Sequence, residues 1–367
     1  VKKRIASAIL SLPLAAQTQR LISPEVHADR SVTFRFRAPN AKEVYLELSR
    51  GGATRTAMSR NEDGSWTVTT EPLEPDLYSY RFNADGAALL DPVNPEIQAN
   101  LLNPHSLVHV HGDGLPWEIA PTPRGAVHRH FYRSAIAGDD RDYFVYTPPG
   151  YDPAGKRLYP VLYLLHGHSD DASSWTAVGR AHVILDNLIA QRRARPMIVV
   201  MPLGYGAREV VRRDGRPAAP GLRQKNLARF RAALLEEVMP AIERDYRASK
   251  DRALRAIAGL SMGGAESLDT GLNALDRFAW IGAFSAGGLD DDLLSRFSKL
   301  NATANSQLRL LWISCGSEDR LIASNRKLVE FLKSKQVHAM LRETPGGHNW
   351  RVWRRNLAEF APALFDQ

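Results

Sequence analysis

Ala258-Gly259-Leu260-Ser261-Met262-Gly263-Gly264 has the form G-x-S-x-G, follows an apolar run from Arg255 to Leu260 that reads as a buried strand, and precedes a helical stretch from Gly264 to Leu275. That context predicts a tight strand-to-helix turn. Ser261 would sit in a strained backbone conformation, Gly259 and Gly263 would let neighbouring backbones approach, and the helix N-terminus would favour negative charge beside the hydroxyl. Ser261 is thus the candidate nucleophile, against the plainer reading of a glycine-rich structural turn.

Around this stretch, short apolar runs alternate with helical periodicity. Val161 to Leu165, Met197 to Met201, Ala256 to Leu260, Trp280 to Phe284, Leu308 to Ser314 and His338 to Leu341 read as strands, most of them buried on both faces. Between them, Leu227, Phe230, Leu234, Val238, Ile242 and Tyr246 keep one apolar helix face, with a kink expected at Pro240. The fold class is therefore α/β, a mostly parallel sheet covered on both sides, with its ligand site beyond the carboxyl ends of the strands.

A serine hydroxyl needs a base, and the base needs an orienting acid. Asp319, in Gly316-Ser317-Glu318-Asp319-Arg320, and His348, in Gly346-Gly347-His348-Asn349-Trp350, each follow a successive strand, in the order acid then histidine. Asp290, Asp291 and Asp292 also follow a strand, but they precede Leu293, Leu294 and Phe297 and read as a helix N-terminus. The oxyanion donors expected are the backbone N–H groups of Met262 and of His168, in Leu164-Leu165-His166-Gly167-His168. No Asp or Glu stands at ligand spacing on the same helix as His166 and His168 and no cysteine is near, so no metal is expected there and His166 is read as a structural hydrogen-bonding residue. The chemistry assigned to side chains and backbone calls for no cofactor.

The N-terminal part has a different texture. Val32, Phe34 and Phe36, then Val44, Leu46 and Leu48, alternate with polar residues between turn signals, which predicts an all-β sandwich over residues 24–111. Residues 112–124, rich in glycine and proline, read as a linker, and residues 125–367 as the α/β domain. The sandwich offers no nucleophile or base and is expected to act on substrate reach or stability. Lys2, Lys3 and Arg4 before the apolar run Ile5 to Ala16 have the layout of a secretory signal over residues 1–20, so a secreted or periplasmic protein is expected. No later run is long enough to span a bilayer.

The 367 residues are 44% hydrophobic and 24% charged, an ordinary globular composition with room for about two domains. The net charge of +8 is too diffuse for a dedicated nucleic-acid binder, and Cys315 as the only cysteine excludes intrachain disulfides and dithiol redox chemistry.

From about Arg129 to Phe365 the chain resembles the esterase-D-like group of α/β-hydrolases, which includes feruloyl, acetyl xylan and enterochelin-type esterases and mycolyltransferases. Tyr159 to Gly167 with Trp175 downstream, Ala258 to Gly264, Gly316 to Leu321 and Thr344 to Trp350 carry the likeness. Phe34 to Ala41, and Tyr80-Arg81-Phe82 followed by Asp91-Pro92, resemble the immunoglobulin-like early-set domain that precedes many such esterases. The resemblance implies Ser261 as nucleophile, Asp319 as acid, His348 as base and the His168 and Met262 amides as oxyanion hole. It also implies a serine ester hydrolase acting on feruloyl or acetyl groups of carbohydrate. A siderophore or other small-molecule ester hydrolase, an acyltransferase, and a glycan-binding protein with an inactive esterase half are the alternatives. Trp175, Tyr205 and Glu266 are candidate substrate contacts, and Leu203 to Gln224, with its glycines, prolines and arginines, is a candidate lid. Oligomeric state is not legible.

Overall fold

The computed structural model describes residues 21–49, 53–212, 219–289 and 293–365. The signal-like residues 1–20, Arg213 and Arg216 of the candidate lid, and Asp290, Asp291 and Asp292 lie outside them.

The alternating N-terminal segments form two antiparallel sheets. One orders Glu25–Val26, Val32–Arg37, Ser65–Thr69 and Ser59–Arg60; the other orders Ala53–Ala57, Val44–Ser49, Asp76–Ala84, His105–Val110 and Ile97–Gln98. Because side chains alternate across a strand, Phe34, Phe36 and Trp66 of the first sheet meet Leu46, Tyr80 and Phe82 of the second in a common core. The rings of Phe34 and Tyr80, and of Phe36 and Phe82, stand 4.7 Å apart. This is the expected β-sandwich.

The rest of the chain builds an eight-stranded sheet, labelled here β1 (Ala126–Arg133), β2 (Asp140–Thr147), β3 (Val161–Leu165), β4 (Ile198–Pro202), β5 (Arg255–Leu260), β6 (Trp280–Phe284), β7 (Leu310–Gly316) and β8 (Met340–Thr344). The spatial order is β1-β2-β4-β3-β5-β6-β7-β8, with β2 antiparallel to both its neighbours, β1 and β4, and the remaining pairs parallel. Six helices matter to the layers: α1 (Ala181–Ala190), α2 (Leu222–Ala233), α3 (Met239–Asp245), α4 (Met262–Asn273), α5 (Ile322–Ser334) and α6 (Trp350–Phe360). Leu162 and Leu164 point to the side covered by α1 and α6, while Val161, Tyr163 and Leu165 point to the side covered by α2 to α5. The central strands β3 to β6 are buried along their whole length, which is why they read as continuous apolar runs. At Pro240 the expected kink is a π turn, Leu234–Val238, between α2 and α3. The proline then falls in the first turn of α3, directly after the wider π turn that continues from α2.

Residues 112–124 contain no helix or strand, yet they are held closely. Trp117 is buried in the layer of α1 and α6, and Asn187 of α1 donates to the carbonyls of Pro116 and Glu118 at 2.8 and 2.7 Å. A charged joint adds to this. Asp76 of the sandwich and Arg354 of α6 are both fully buried; Arg354 Nη2 donates to Asp76 Oδ1 at 2.5 Å and Nη1 to the carbonyl of Val178 at 2.7 Å. Arg351 Nε donates to the other carboxylate oxygen at 3.2 Å. Asp76→Ala would leave Arg354 buried without its counter-charge, and the expected loss is about 3–5 kcal/mol of stability, read from urea unfolding at neutral pH.

Among the described residues no helix is long and apolar enough to cross a membrane.

Candidate active site

Ser261 stands between the end of β5 and the start of α4 with φ 51° and ψ −113°, the strained conformation that the turn demands. Three backbone bonds hold it there. Its N–H donates to the carbonyl of Phe284 at 2.8 Å, and its own carbonyl accepts from Ala265 and Gly287 at 3.1 and 3.0 Å. A Cβ on Gly263 would lie 2.5 and 2.6 Å from the carbonyl oxygens of His166 and Leu165, which are backbone and cannot swing aside. Gly263→Ala is therefore expected to cost about 1–3 kcal/mol, seen as a lower Tm, and to reduce activity by displacing the loop after β3.

His348 Nε2 lies 3.0 Å from Ser261 Oγ, and His348 Nδ1 lies 2.8 Å from Asp319 Oδ2. The three residues expected from chain order are thus in one hydrogen-bonded line. The carboxylate beside the histidine is Asp319, after β7, and its other oxygen accepts the Leu321 N–H at 2.9 Å. Burial alone would raise the Asp319 carboxyl, but the hydrogen bonds from His348, Leu321 and Ser285 and the imidazole's charge hold it below the ordinary carboxylate value. The loops bearing acid and base touch: the Glu318 N–H donates to the carbonyl of Gly346 at 3.0 Å, and only a glycine at 316 leaves room for that carbonyl, which would lie 2.2 Å from a Cβ. The imidazole edge is fixed by Trp353, whose ring stands 4.9 Å away at 87°.

Strands β3 and β5 are neighbours at the point where strand order reverses, so the loop after β3 lies beside Ser261. His166 is buried in that loop; its Nε2 accepts the Gly204 N–H at 2.8 Å, which leaves Nδ1 protonated to donate to the Gly167 carbonyl at 2.8 Å. This is the structural role expected of it. His168 lines the cleft with Gly167 and Ser261, and Met262 opens α4, so its N–H lacks an intrahelical acceptor.

The cleft over Ser261 measures about 390 Å³ and has two walls. One is the hydrolase side, with His348, Arg320 and Arg351; the other is the sandwich, with Ser79, Asn100 and Asn103. Sequence reasoning missed this second wall, since nothing local marks strands of another sheet as neighbours of Ser261. Arg320 did carry a signal, its position next to Asp319.

Three candidate substrate contacts are corrected. Trp175 is buried, its Nε1 donating to the Leu165 carbonyl at 2.9 Å and its ring edge-on to Trp350 at 5.1 Å. Tyr205 is buried and donates to the carbonyl of Asp170 at 2.8 Å. Glu266 faces the back of α4, where Asn226 Nδ2 donates to it at 3.2 Å and burial raises its carboxyl well above the usual range. All three lie in the layer beneath the cleft: the rings of Trp175 and Tyr205 are packed there with their polar atoms hydrogen-bonded, and Glu266 is held through Asn226. The described parts of the candidate lid, residues 203–212 and 219–224, likewise do not line the cleft: Leu203 and Tyr205 pack on Ala172, Arg208 pairs with Asp139 at 2.8 Å, and Leu222 begins α2. It supports the loop after β3 from behind, through Gly204 on His166, Tyr205 on Asp170 and the Val210 carbonyl, 3.0 Å from His168 Nε2.

Asp170 is the titratable group where the walls meet. Asn100 Nδ2 donates to it at 2.9 Å, and Leu101 N–H donates to the neighbouring Ser169 carbonyl at 2.7 Å. Burial pushes Asp170 from its ordinary 3.8 up to about 7, outweighing the amides of Asn100 and Gln98 that favour the anion. A carboxyl raised on folding contributes most stability below its unfolded value and loses it as pH rises to its folded value. The Tm of Asp170→Asn minus that of the parent protein should therefore rise between about pH 4 and 7 and level off above, measured by thermal unfolding across that range.

A G-x-S-x-G turn at the strand switch, an aspartate and a histidine on two later loops, and a mostly parallel eight-stranded sheet together define an α/β-hydrolase fold. Residues 134–364 match the family described as "Putative esterase", and the chain belongs to that family. It is 28% identical over 362 residues to an endo-1,4-beta-xylanase/feruloyl esterase of Xylanibacter ruminicola, covering 93% of this chain and 46% of that relative. The chain spans about half the length of the curated relatives it matches. Among solved structures, a ferulic acid esterase is 26% identical with a TM-score of 0.56, over 65% of this chain and 97% of that one. The enterochelin esterase of Shigella flexneri, at 19% identity, shares the fold with a TM-score of 0.67 over 92% of both chains.

Proposed function

We propose that the protein is a serine carboxylic-ester hydrolase that removes feruloyl or acetyl groups from carbohydrate. The observation that carries the reading is the line Ser261–His348–Asp319 opening into a cleft with an amide- and hydroxyl-bearing wall. In the reaction, Ser261 Oγ attacks the ester carbonyl while His348 Nε2 takes its proton. The Met262 and His168 amides receive the oxyanion, and His348 returns the proton to the leaving sugar hydroxyl as the acyl-enzyme forms. Water, deprotonated by the same imidazole, then releases the acid and restores the serine. Asp319 keeps Nδ1–H directed at itself and stabilises the imidazolium.

Ser79, Asn100 and Asn103 support a hydroxyl-rich leaving group, because each can donate and accept hydrogen bonds. Arg320 and Arg351 favour a second reading, an aryl or anionic small-molecule ester of the siderophore kind. A panel of p-nitrophenyl acetate, methyl ferulate, feruloylated and acetylated xylo-oligosaccharides and a catecholate ester decides between them. Higher kcat/KM for the oligosaccharide esters than for methyl ferulate supports the first reading, and preference for the catecholate ester overturns it.

A further inference from the structure

Away from Ser261, three ligating side chains converge where the sandwich meets the segment of residues 112–124. His109 lies on the strand His105–Val110, and His111 follows two residues later, so strand alternation puts both imidazoles on one face. Their rings stand 3.9 Å apart. Glu118 reaches back across the turn with Oε1 at 2.8 Å from His109 Nε2 and Oε2 at 3.1 Å from His111 Nδ1. One donor atom from each of the three residues lies within 4.8 Å of the others.

We propose that His109, His111 and Glu118 form a structural zinc site. Two imidazoles and one carboxylate are a borderline-soft donor set, which suits Zn²⁺ and is wrong for Ca²⁺ or Mg²⁺. Metal–ligand bonds of about 2.0–2.2 Å require ligand atoms about 3.4 Å apart in a tetrahedron. The present contacts reach that spacing by small side-chain rotations. Water takes the fourth position on the side of His111, whose side chain is 75% exposed. The carboxylate is already oriented by a second contact, the Gly112 N–H donating to Oε1 at 3.2 Å, as expected of a ligand fixed from outside the coordination sphere. Arg180 also feels the Glu118 charge and keeps the affinity below that of a closed four-residue site.

The ion's place gives it a mechanical role. Two ligands end a sandwich strand whose other end, His105, lines the cleft. The third sits on a backbone gripped by Asn187 of α1. Zinc would thus brace the sandwich wall of the cleft against the hydrolase layer, without a part in ester chemistry.

The test is isothermal titration of the tag-free, chelator-treated full chain with ZnCl₂, paired with thermal unfolding. The expected result is one zinc per chain with a Kd below about 10 µM and a Tm raised by a few degrees at a hundredfold excess over Kd. His111→Ala, at an exposed position that the fold does not need, should weaken binding at least about tenfold and abolish the Tm rise, and Glu118→Gln should do the same. Turnover of p-nitrophenyl acetate by His111→Ala should match the parent protein. Absence of stoichiometric binding at 100 µM zinc (about ten times the expected Kd), or unchanged binding in His111→Ala, overturns the proposal.

Discussion

Ser261→Ala is expected to lower kcat for p-nitrophenyl acetate by about 10³-fold or more while leaving the far-UV spectrum and Tm close to those of the parent protein. The substitution removes one hydroxyl. The backbone at φ 51° is held by the bonds to Phe284, Ala265 and Gly287, none of which uses the side chain. What remains is catalysis by the amides of Met262 and His168 and by binding alone, which is why the residual rate is not zero. Labelling by a fluorophosphonate should vanish with the hydroxyl. A folded variant that still turns over or is still labelled would move the nucleophile elsewhere and remove the functional reading at its root.

Asp319→Asn has the second-largest expected effect, a loss of about 10²- to 10⁴-fold in kcat with KM little changed. The carboxylate oxygen 2.8 Å from His348 Nδ1 becomes either an amide oxygen, which keeps the tautomer but stabilises the imidazolium less, or an amide N–H, which forces the wrong tautomer. The Leu321 N–H keeps an oxygen acceptor only in the second case, since in the first the amide NH2 faces it, and stability is still expected to change much less than rate. Steady-state kinetics together with thermal unfolding separates the two. An active Asp319→Asn would return attention to Asp290, Asp291 and Asp292.

The local part of the site was legible because it is encoded by residues adjacent in the chain. Gly259 and Gly263 mark a turn that needs close backbone approach, Asp319 follows the buried apolar run Leu310–Gly316, and His348 follows the next, largely exposed strand, Met340–Thr344. The alternation of Val44, Leu46 and Leu48 likewise carried its strand through to the sandwich core. What could not be read was anything decided by contact between distant segments. Trp175, Tyr205 and Glu266 look like contact residues by type, but the packing of the loops after β3 and β4 and of α2 against α4 determines that they are buried. Asn100 and Asn103 look like turn residues and become cleft wall only because the sandwich is seated on the hydrolase side. The stretch containing Pro240 shows the same limit on a smaller scale: its apolar spacing survives through α2 and α3, while the π turn that accommodates the proline leaves no mark in the pattern.

The carboxylate of Asp76 lies among arginines of α6, the helix that begins two residues after His348. The two halves of the chain are therefore not interchangeable parts. In a chimera that grafts another sandwich onto this hydrolase half, Arg354 would enter the interior with nothing opposite it, and the helix that anchors the histidine loop would lose its footing. Any recombination that preserves activity has to carry Asp76 and Arg354 together, or replace both by side chains that need no charge. The same coupling is expected to draw the two halves into one heat-absorption peak in calorimetry, and two separate peaks would show that the Asp76–Arg354 joint does not tie their unfolding together.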